Sequence, residues 1–331
     1  MSTITQALAS GTPQLRPLNI LRDLPRVADL VETCFSGTMD AEGQRFIQQM
    51  RRAGQDNSFL RWAVHAVDSA SMPLSGYVWE EDGQLVGNVS LIPYHYHSQK
   101  IFMIANVAVH PDHRRQGIAR LITEKAIEHC WKRNAQSTWL QVRHDNPGAI
   151  QLYSDLGFIE HARRTQWQAA PDKNLVWDNP GIEIHSRSNA FWNLQRQWLE
   201  RLYPEGLFWY QPMPWISLRP GILAGISRFF MESDSRTWKA VSSAGLIAAV
   251  SWISNFGKSQ PLWAAFPEDF DNASLTALLV HVRRALAGRE NLSLDLPGGQ
   301  AEKAVQSAGF QARRTLIWMK VDKTKSEILR R

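Results

Sequence analysis

Two stretches of this chain spell nearly the same thing. Gly157-Phe158, followed by Ala162-Arg163-Arg164-Thr165 and Trp167, returns as Gly309-Phe310, followed by Ala312-Arg313-Arg314-Thr315 and Trp318. A second echo supports the first: Asn88-Val89-Ser90-Leu91-Ile92 after Gly83 returns as Ala249-Val250-Ser251-Trp252-Ile253 after Gly245. The 331 residues exceed what one core usually serves, at roughly 150 residues per domain. The expectation is therefore two copies of one α/β unit. It places an intact copy at residues 1–168, a tryptophan-rich helical connector at 169–215 and a worn copy at 216–331.

The first copy alternates strands and helices. Gln14–Asn19 reads as a strand, Leu21–Phe35 and Ala41–Arg52 as helices, and Tyr77–Glu81 and Leu85–Tyr96 as strands joined by a Gly83 turn. Ile101–Val109 is a continuous apolar run of strand length, so it reads as a buried strand. After Pro111 the period changes: Ile118, Leu121, Ile122, Ala126 and Cys130 share one helical face, predicting a helix over 115–133. Thr138–Val142 is the next strand, Pro147–Leu156 a helix closed by Gly157, and Phe158–Trp167 a last strand. In the second copy the same order runs through Leu262–Phe266, Ala273–Ala287, Leu292–Leu296 and Gln300–Ala308.

Composition excludes several classes. No apolar run reaches the ~18–20 residues of a membrane span. The first residues lack the basic and apolar regions of a signal peptide. Two cysteines, Cys34 and Cys130, cannot make a disulfide framework or a four-cysteine zinc site, and they fit a reducing cytoplasm. The net charge of +6 hints at nucleic acid, but the excess sits at the C-terminal end, where residues 313–331 hold seven Lys/Arg against two Asp/Glu. A basic binding face is not expected from that placement. The connector carries Trp177, Trp192, Trp198, Trp209 and Trp215, with Phe191, Leu194, Trp198 and Leu202 on one helical stripe. It reads as a packed helix, with an aromatic substrate wall as the alternative.

Chemistry concentrates in Val107-Ala108-Val109-His110-Pro111-Asp112-His113-Arg114-Arg115-Gln116-Gly117-Ile118-Ala119. A buried strand ends, and a loop with two arginines and a glycine opens a helix. The first helical turn leaves backbone N–H groups unpartnered at the positive end of the helix dipole, which suits a diphosphate. Gly117 lets the backbone approach an anion closely, Ala119 keeps the next position small, and Arg114 and Arg115 add charged donors. On its own the string could equally be a helix start with a solvated arginine pair.

It is followed by Asn146-Pro147-Gly148-Ala149-Ile150-Gln151-Leu152-Tyr153-Ser154-Asp155-Leu156-Gly157-Phe158. The two segments together resemble the paired motifs of the GNAT superfamily of N-acyltransferases, with a Q/R-x-x-G-x-G/A loop and an N-x-x-A-x-x-L-Y-x-x-x-G-F helix. The resemblance covers roughly residues 14–168, and the second half is similar to the same fold more weakly. It implies two α/β (α+β) domains, each a mixed, mostly antiparallel sheet with a splayed parallel strand pair and flanking helices. It also implies acetyl-CoA as co-substrate. Arg114, Arg115, Gln116, Gly117, Ile118 and Ala119 would wrap its diphosphate, and the pantetheine would lie between the strand ending at Val109 and Thr138–Val142. A bulge near Val107–Val109 would present a backbone donor, assigned to Val109, to the thioester oxygen. Asn146 would lie near the CoA arm or serve simply as a helix cap, and Tyr153 would protonate the departing thiolate rather than fill the core.

One departure from the family stands out. Many members carry a glutamate on the strand before the loop, whereas Ile101–Val109 has no carboxylate and Met103 and Ala105 fill those places. His95, His97 and Glu80 are the candidate bases, with His110 a further one; each histidine is as readily a half-exposed polar position on a strand. No third and fourth ligand accompanies the histidine pairs, so no metal is expected.

In the second copy, Phe270, Asp271 and Ala273 fall where Arg114, Arg115 and Gly117 stand, and Val305 falls where Tyr153 stands. Glu268, Asp269 and Asp271 would repel a diphosphate. The expected activity is acyl transfer from acetyl-CoA to a primary amine, on a small molecule or a peptide, by direct attack at one site per chain. A non-catalytic acyl-CoA sensor and a tRNA-using acyltransferase are the alternatives. The acceptor, the base, the acyl-chain length and the oligomeric state are not written in the sequence, nor are the roles of the second copy, the connector and the basic end. The first helices and the loop Asp68–Ser75 are expected to shape the acceptor pocket.

Overall fold

The computed structural model describes residues 13–37, 39, 41–56, 58, 73–176, 182–186, 190–219, 234–254 and 259–323. Trp177 and residues 68–72 of the expected pocket loop lie outside that set. Two compact units emerge: unit 1 is Met1–His161 with Trp318–Arg331, and unit 2 is Ala162–Ile317.

Unit 1 is built on a long hairpin of β3 (Gln84–Tyr96) and β4 (Gln99–Val109), turned by His97 and Ser98 at positive φ. β2 (Ser75–Glu81) pairs antiparallel with β3, and β1 (Gln14–Pro17) antiparallel with β2. On the other side β5 (Ser137–Arg143) runs parallel to β4, paired from Ile101↔Ser137 to Ile104↔Leu140. The far end of β12 (Gln311–Asp322) lies next to β5, with Trp318 edge-on to Trp139.

Helix α1 (Ile20–Phe35) starts at Asn19, whose side chain accepts the Leu21 N–H, and buries Leu24, Val27, Ala28, Leu30 and Val31. These pack with Ile47 and Met50 of α2 (Ala41–Ala53) and with Val78, Leu85 and Ala108 of the sheet. Helix α3 (Ile118–Lys132) packs on β2, β3 and β4 through Ile118, Ile122, Ala126, Ile127 and Cys130. Leu121, read from the sequence as part of that face, is 44% exposed. α4 (Pro147–Asp155) follows β5 and buries Tyr153.

Unit 2 repeats the plan. β8 (Ser235–Ser242), β9 (Gly245–Ile253) and β10 (Ser259–Ala265) are antiparallel neighbours, and β11 (Asn291–Pro297) runs parallel to β10. β7 (Glu183–Ser186) edges β8, while β6 (Ile159–Ala169) pairs with β11 through Arg164–Ala169. The core holds Trp167, Trp252 and Phe266 with α7 (Asn272–Ala285) and α8 (Glu302–Ser307). α5 (Trp192–Leu202) buries Gln195, Leu199 and Leu202, one residue round from the predicted Phe191–Leu194–Trp198 stripe; Phe191 is exposed at the helix start, and the short α6 (Trp215–Leu218) follows.

Elements match the sequence reading to within a few residues, but the division of the chain differs from it. The units part inside β6 and again inside β12, not at residue 168, and residues 318–322 belong with unit 1. The tryptophan-rich helix belongs to unit 2 and is not a separate body. The physical reason is that both strands are long, 11 and 12 residues, and each half of a long strand can pack in a different core.

Candidate functional site

β4 and β5 pair only as far as Ile104 and Leu140, after which the main chains part over Ala105–Val109. Just there the β3–β4 register slips: Asn88 faces Ala108, but Ser90 faces Ala105, so Asn106 and Val107 together oppose Val89. Asn106 sits at φ 51, the left-handed conformation that asparagine tolerates best among residues with a Cβ. Beyond the bulge the His110 N–H donates to the Val86 carbonyl at 2.8 Å. Alternation then points the N–H and C=O of Val109, and of Val107, away from β3 and into the gap. The Val109 carbonyl is already taken there, accepting from Arg114 Nε and Cys34 Sγ, each at 3.2 Å.

The loop that follows is a short 3-10 turn, Pro111–His113, then Arg114 in extended backbone and Arg115 at φ 66. Gly117 at φ 82 is the residue before α3, with no side chain capping the helix and nothing within 4 Å of where a Cβ would stand. The first-turn amides of a 15-residue helix are thus open to an anion, flanked by the exposed Arg114, Arg115 and Gln116. This donor set and open cradle fit a diphosphate. Ile118 turns inward to the core and Ala119 is half-buried.

Tyr153 lies on α4 with its ring edge-on to Phe158, and burial pushes its phenol well above the ordinary tyrosine value. The hydroxyl therefore stays protonated through the range in which a thiolate would need a proton. Asn146 caps α4, its Oδ1 accepting the Ala149 N–H at 3.1 Å, so the capping role is the one its geometry displays.

The candidate bases scatter. His95 is exposed and faces Lys100, five residues along β3 from the bulge position Ser90. His97 is not on the strand beside it but in the turn at φ 46. Glu80 is held by Arg16 at 2.6 Å, Arg22 at 3.2 Å and Arg26 at 3.5 Å. The Arg16 hydrogen bond first, and the charges of all three arginines with it, hold this carboxyl below its usual range, which suits an ion network rather than a proton acceptor. His110 accepts from the Asp112 N–H at 3.4 Å and sits 3.7 Å from its carboxylate. Among the described residues no cluster of three or more His, Cys, Asp or Glu could hold a metal, and no helix is long and apolar enough to cross a membrane.

Two participants escaped the sequence reading. Cys34 on α1 touches Val109; burial raises its thiol while Arg114 opposes that shift. Asn88, 0% exposed on β3, donates from Nδ2 to the Asn106 carbonyl at 2.8 Å. An asparagine in the middle of an apolar strand was the available signal.

In unit 2 the corresponding helix α7 is capped. Asp271 accepts from the N–H groups of Ala273 and Ser274 at 3.3 and 2.8 Å and from Ser274 Oγ at 2.5 Å. Asp271 thus occupies the cap position that Gly117 holds in unit 1, two places from the predicted pairing with Arg115, because the loop from Phe266 to Phe270 is shorter than that from His110 to Gln116. A cleft of about 590 Å³ remains beside it, lined by Arg201, Phe266, Glu268, Phe270, Gln300 and Lys303 among others.

Residues 34–158 match the model of the acetyltransferase (GNAT) family. Over 67 residues the chain is 42% identical to the [ribosomal protein bS18]-alanine N-acetyltransferase of Escherichia coli K12, covering 20% of this chain and 45% of that one. Over 84 residues it is 34% identical to the spermidine N(1)-acetyltransferase of Vibrio cholerae, covering 24% and 47%. The chain thus spans less than half the length of these relatives. A GCN5-related N-acetyltransferase of Sphaerobacter thermophilus shares the fold over 94% of this chain and 95% of its own, at a TM-score of 0.54 and 14% identity. Residues 34–158 thus carry the sequence pattern of the GNAT family of acetyltransferases, on a fold shared along the chain.

Proposed function

We propose that this protein is an acyl-CoA-dependent N-acyltransferase with one active site per chain, in unit 1, moving an acetyl group from acetyl-CoA to a primary amine. The observation that carries the reading is the uncapped start of α3 behind Gly117, set at the mouth of the parted β4 and β5 strands. The diphosphate of the substrate binds the open amides with Arg114, Arg115 and Gln116. The pantetheine arm runs along the free edge of Val107–Val109, with the Val109 N–H directed at the thioester oxygen. The amine attacks the carbonyl carbon, the C–S bond breaks, and Tyr153 gives the thiolate its proton. The amine attacks as the free base; once the C–N bond has formed, its positively charged nitrogen loses a proton to solvent or to a group on the acceptor side and solvent restores the proton of Tyr153, since Glu80 is bound by three arginines and His95 and His97 lie along the hairpin away from the bulge.

The relatives named above act, by name, on alanine of ribosomal protein bS18 and on spermidine, which supports an amine acceptor without choosing one. Thiol release is measured with acetyl-CoA and a panel of peptide, polyamine and small-molecule amines. Amine-dependent release supports the reading. Tight CoA binding with no release across the panel overturns it in favour of a sensor.

A further inference from the structure

The slip in register at the bulge has a specific cause in the side chains. Asn88 donates through Nδ2 to the main-chain carbonyl of Asn106 at 2.8 Å and to Ser90 Oγ at 3.3 Å, and Asn106 Nδ2 reaches the same hydroxyl at 3.4 Å. Asn88 is fully buried, and its Oδ1 has no protein partner. Burying a side-chain amide with one end unmatched by protein costs stability. An apolar residue here would be the cheaper core choice.

Unit 2 supplies the control. The echo of Asn88-Val89-Ser90 is Ala249-Val250-Ser251, so the asparagine is replaced by alanine and the serine is kept. There β9 and β10 pair in one unbroken register, from Leu262↔Trp252 to Ala265↔Ala249. The bulge accompanies the asparagine. One extra residue reverses which main-chain edges face the neighbouring strand and which face the gap.

We propose that Asn88 is a positioning residue: by holding the Asn106 carbonyl it fixes the extra residue of β4 and so turns the Val107–Val109 edge toward the thioester. The inference rests on the acyl-transfer reading above and adds a residue to it. Asn88 touches no substrate; it acts through Asn106.

The test uses the full chain and two variants, Asn88→Ala and Asn88→Ala/Asn106→Gly. Alanine at the matching place in β9 shows that this residue is compatible with the strand pairing. Three quantities are read: kcat and KM for acetyl-CoA by thiol release, Kd for CoA by calorimetry, and exchange rates of the amides of residues 105–109. Displacing the reacting edge by a fraction of an ångström to one ångström predicts a kcat loss of about 10- to 100-fold. Kd for CoA should stay within about 3-fold, because the diphosphate sits on the Arg114–Ala119 loop. Exchange at 105–109 should quicken. Glycine adopts φ near +50° without the asparagine's help, so the double variant should recover part of the lost kcat.

The proposal is overturned by wild-type kcat in Asn88→Ala, by a Kd that weakens in step with kcat, or by a double variant no better than the single. If the alanine variant fails to fold, Asn88→Ser takes its place with the same expectations. If the wild-type chain releases no thiol with any amine, the acyl-transfer reading fails separately; unchanged exchange at 105–109 then overturns the role of Asn88, and faster exchange supports its hold on the bulge.

Discussion

In unit 1 the chain leaves β4 at Val109 and enters α3 through Gly117; in unit 2 it leaves β10 at Ala265 and enters α7 through Asp271. Both are strand–loop–helix crossings in the same place in the same plan. The first leaves the helix amides open and surrounds them with arginine. The second closes them with its own carboxylate and sets Glu268 and Asp269 beside it. The same backbone donors that would bind a diphosphate in one unit stabilise a helix in the other. A helix start can be a ligand site or a well-capped end, and a residue at the cap position decides between them.

The sharpest way to break this contrast is at Tyr153, whose place in unit 2 is taken by the buried Val305. Removing the phenol with Tyr153→Phe should lower kcat by about 1000-fold, within the range for loss of a general acid, while KM for acetyl-CoA changes little. Steady-state thiol release checks this; an unchanged kcat removes Tyr153 from the mechanism. Next, Gly117→Asp puts a carboxylate at the start of α3, with Gly117→Asn as the uncharged control for the strain of a side chain at φ 82. Two like charges near a protein surface repel by about 3–4 kcal/mol, so CoA affinity should fall by roughly 100-fold or more, read by calorimetry. Retained affinity would mean that the diphosphate binds elsewhere.

Asp271→Ala tests the other side. Loss of a cap costs about 1 kcal/mol of stability, visible as a lower denaturation midpoint, and no CoA binding should appear in unit 2 because Glu268 and Asp269 persist. The smallest effect is in pH. The Ser274 hydroxyl first, then the backbone N–H groups of Ser274 and Ala273, hold the Asp271 carboxyl below its usual range. A depressed folded-state value means the cap contributes fully above the unfolded value of about 3.9 and is lost as pH falls through the lower folded value. The destabilisation by Asp271→Ala should therefore shrink in denaturation series taken below about pH 4. A difference independent of pH would show that the carboxylate charge is not what the cap supplies.

The ranges of the strands and helices, the loop at Arg114–Ala119 and the tyrosine on α4 were legible because each is written in consecutive residues. The features that escaped are those assembled from distant ones. Glu80 looked available as a base until Arg16, Arg22 and Arg26 closed on it from β1 and α1. Cys34 meets Val109 only because α1 packs across β3 and β4. The Asn88–Asn106 contact depends on a bulge, and a period-two pattern read along one strand does not reveal an extra residue in its partner. His97 lies just past the strand end at Tyr96, in the turn to β4.

The crossing of β6 and β12 between units bears on how the chain is made. Unit 1 takes residues 318–322 as the strand next to β5, with Trp318 against Trp139 and Lys320 over the same ring. Domains generally fold in order as they leave the ribosome. This one cannot: its sheet is finished only after residue 322 has been synthesised, when everything in unit 2 already exists. The half that matches the family model is the last to be completed, and a chain interrupted anywhere in unit 2 leaves it without a strand.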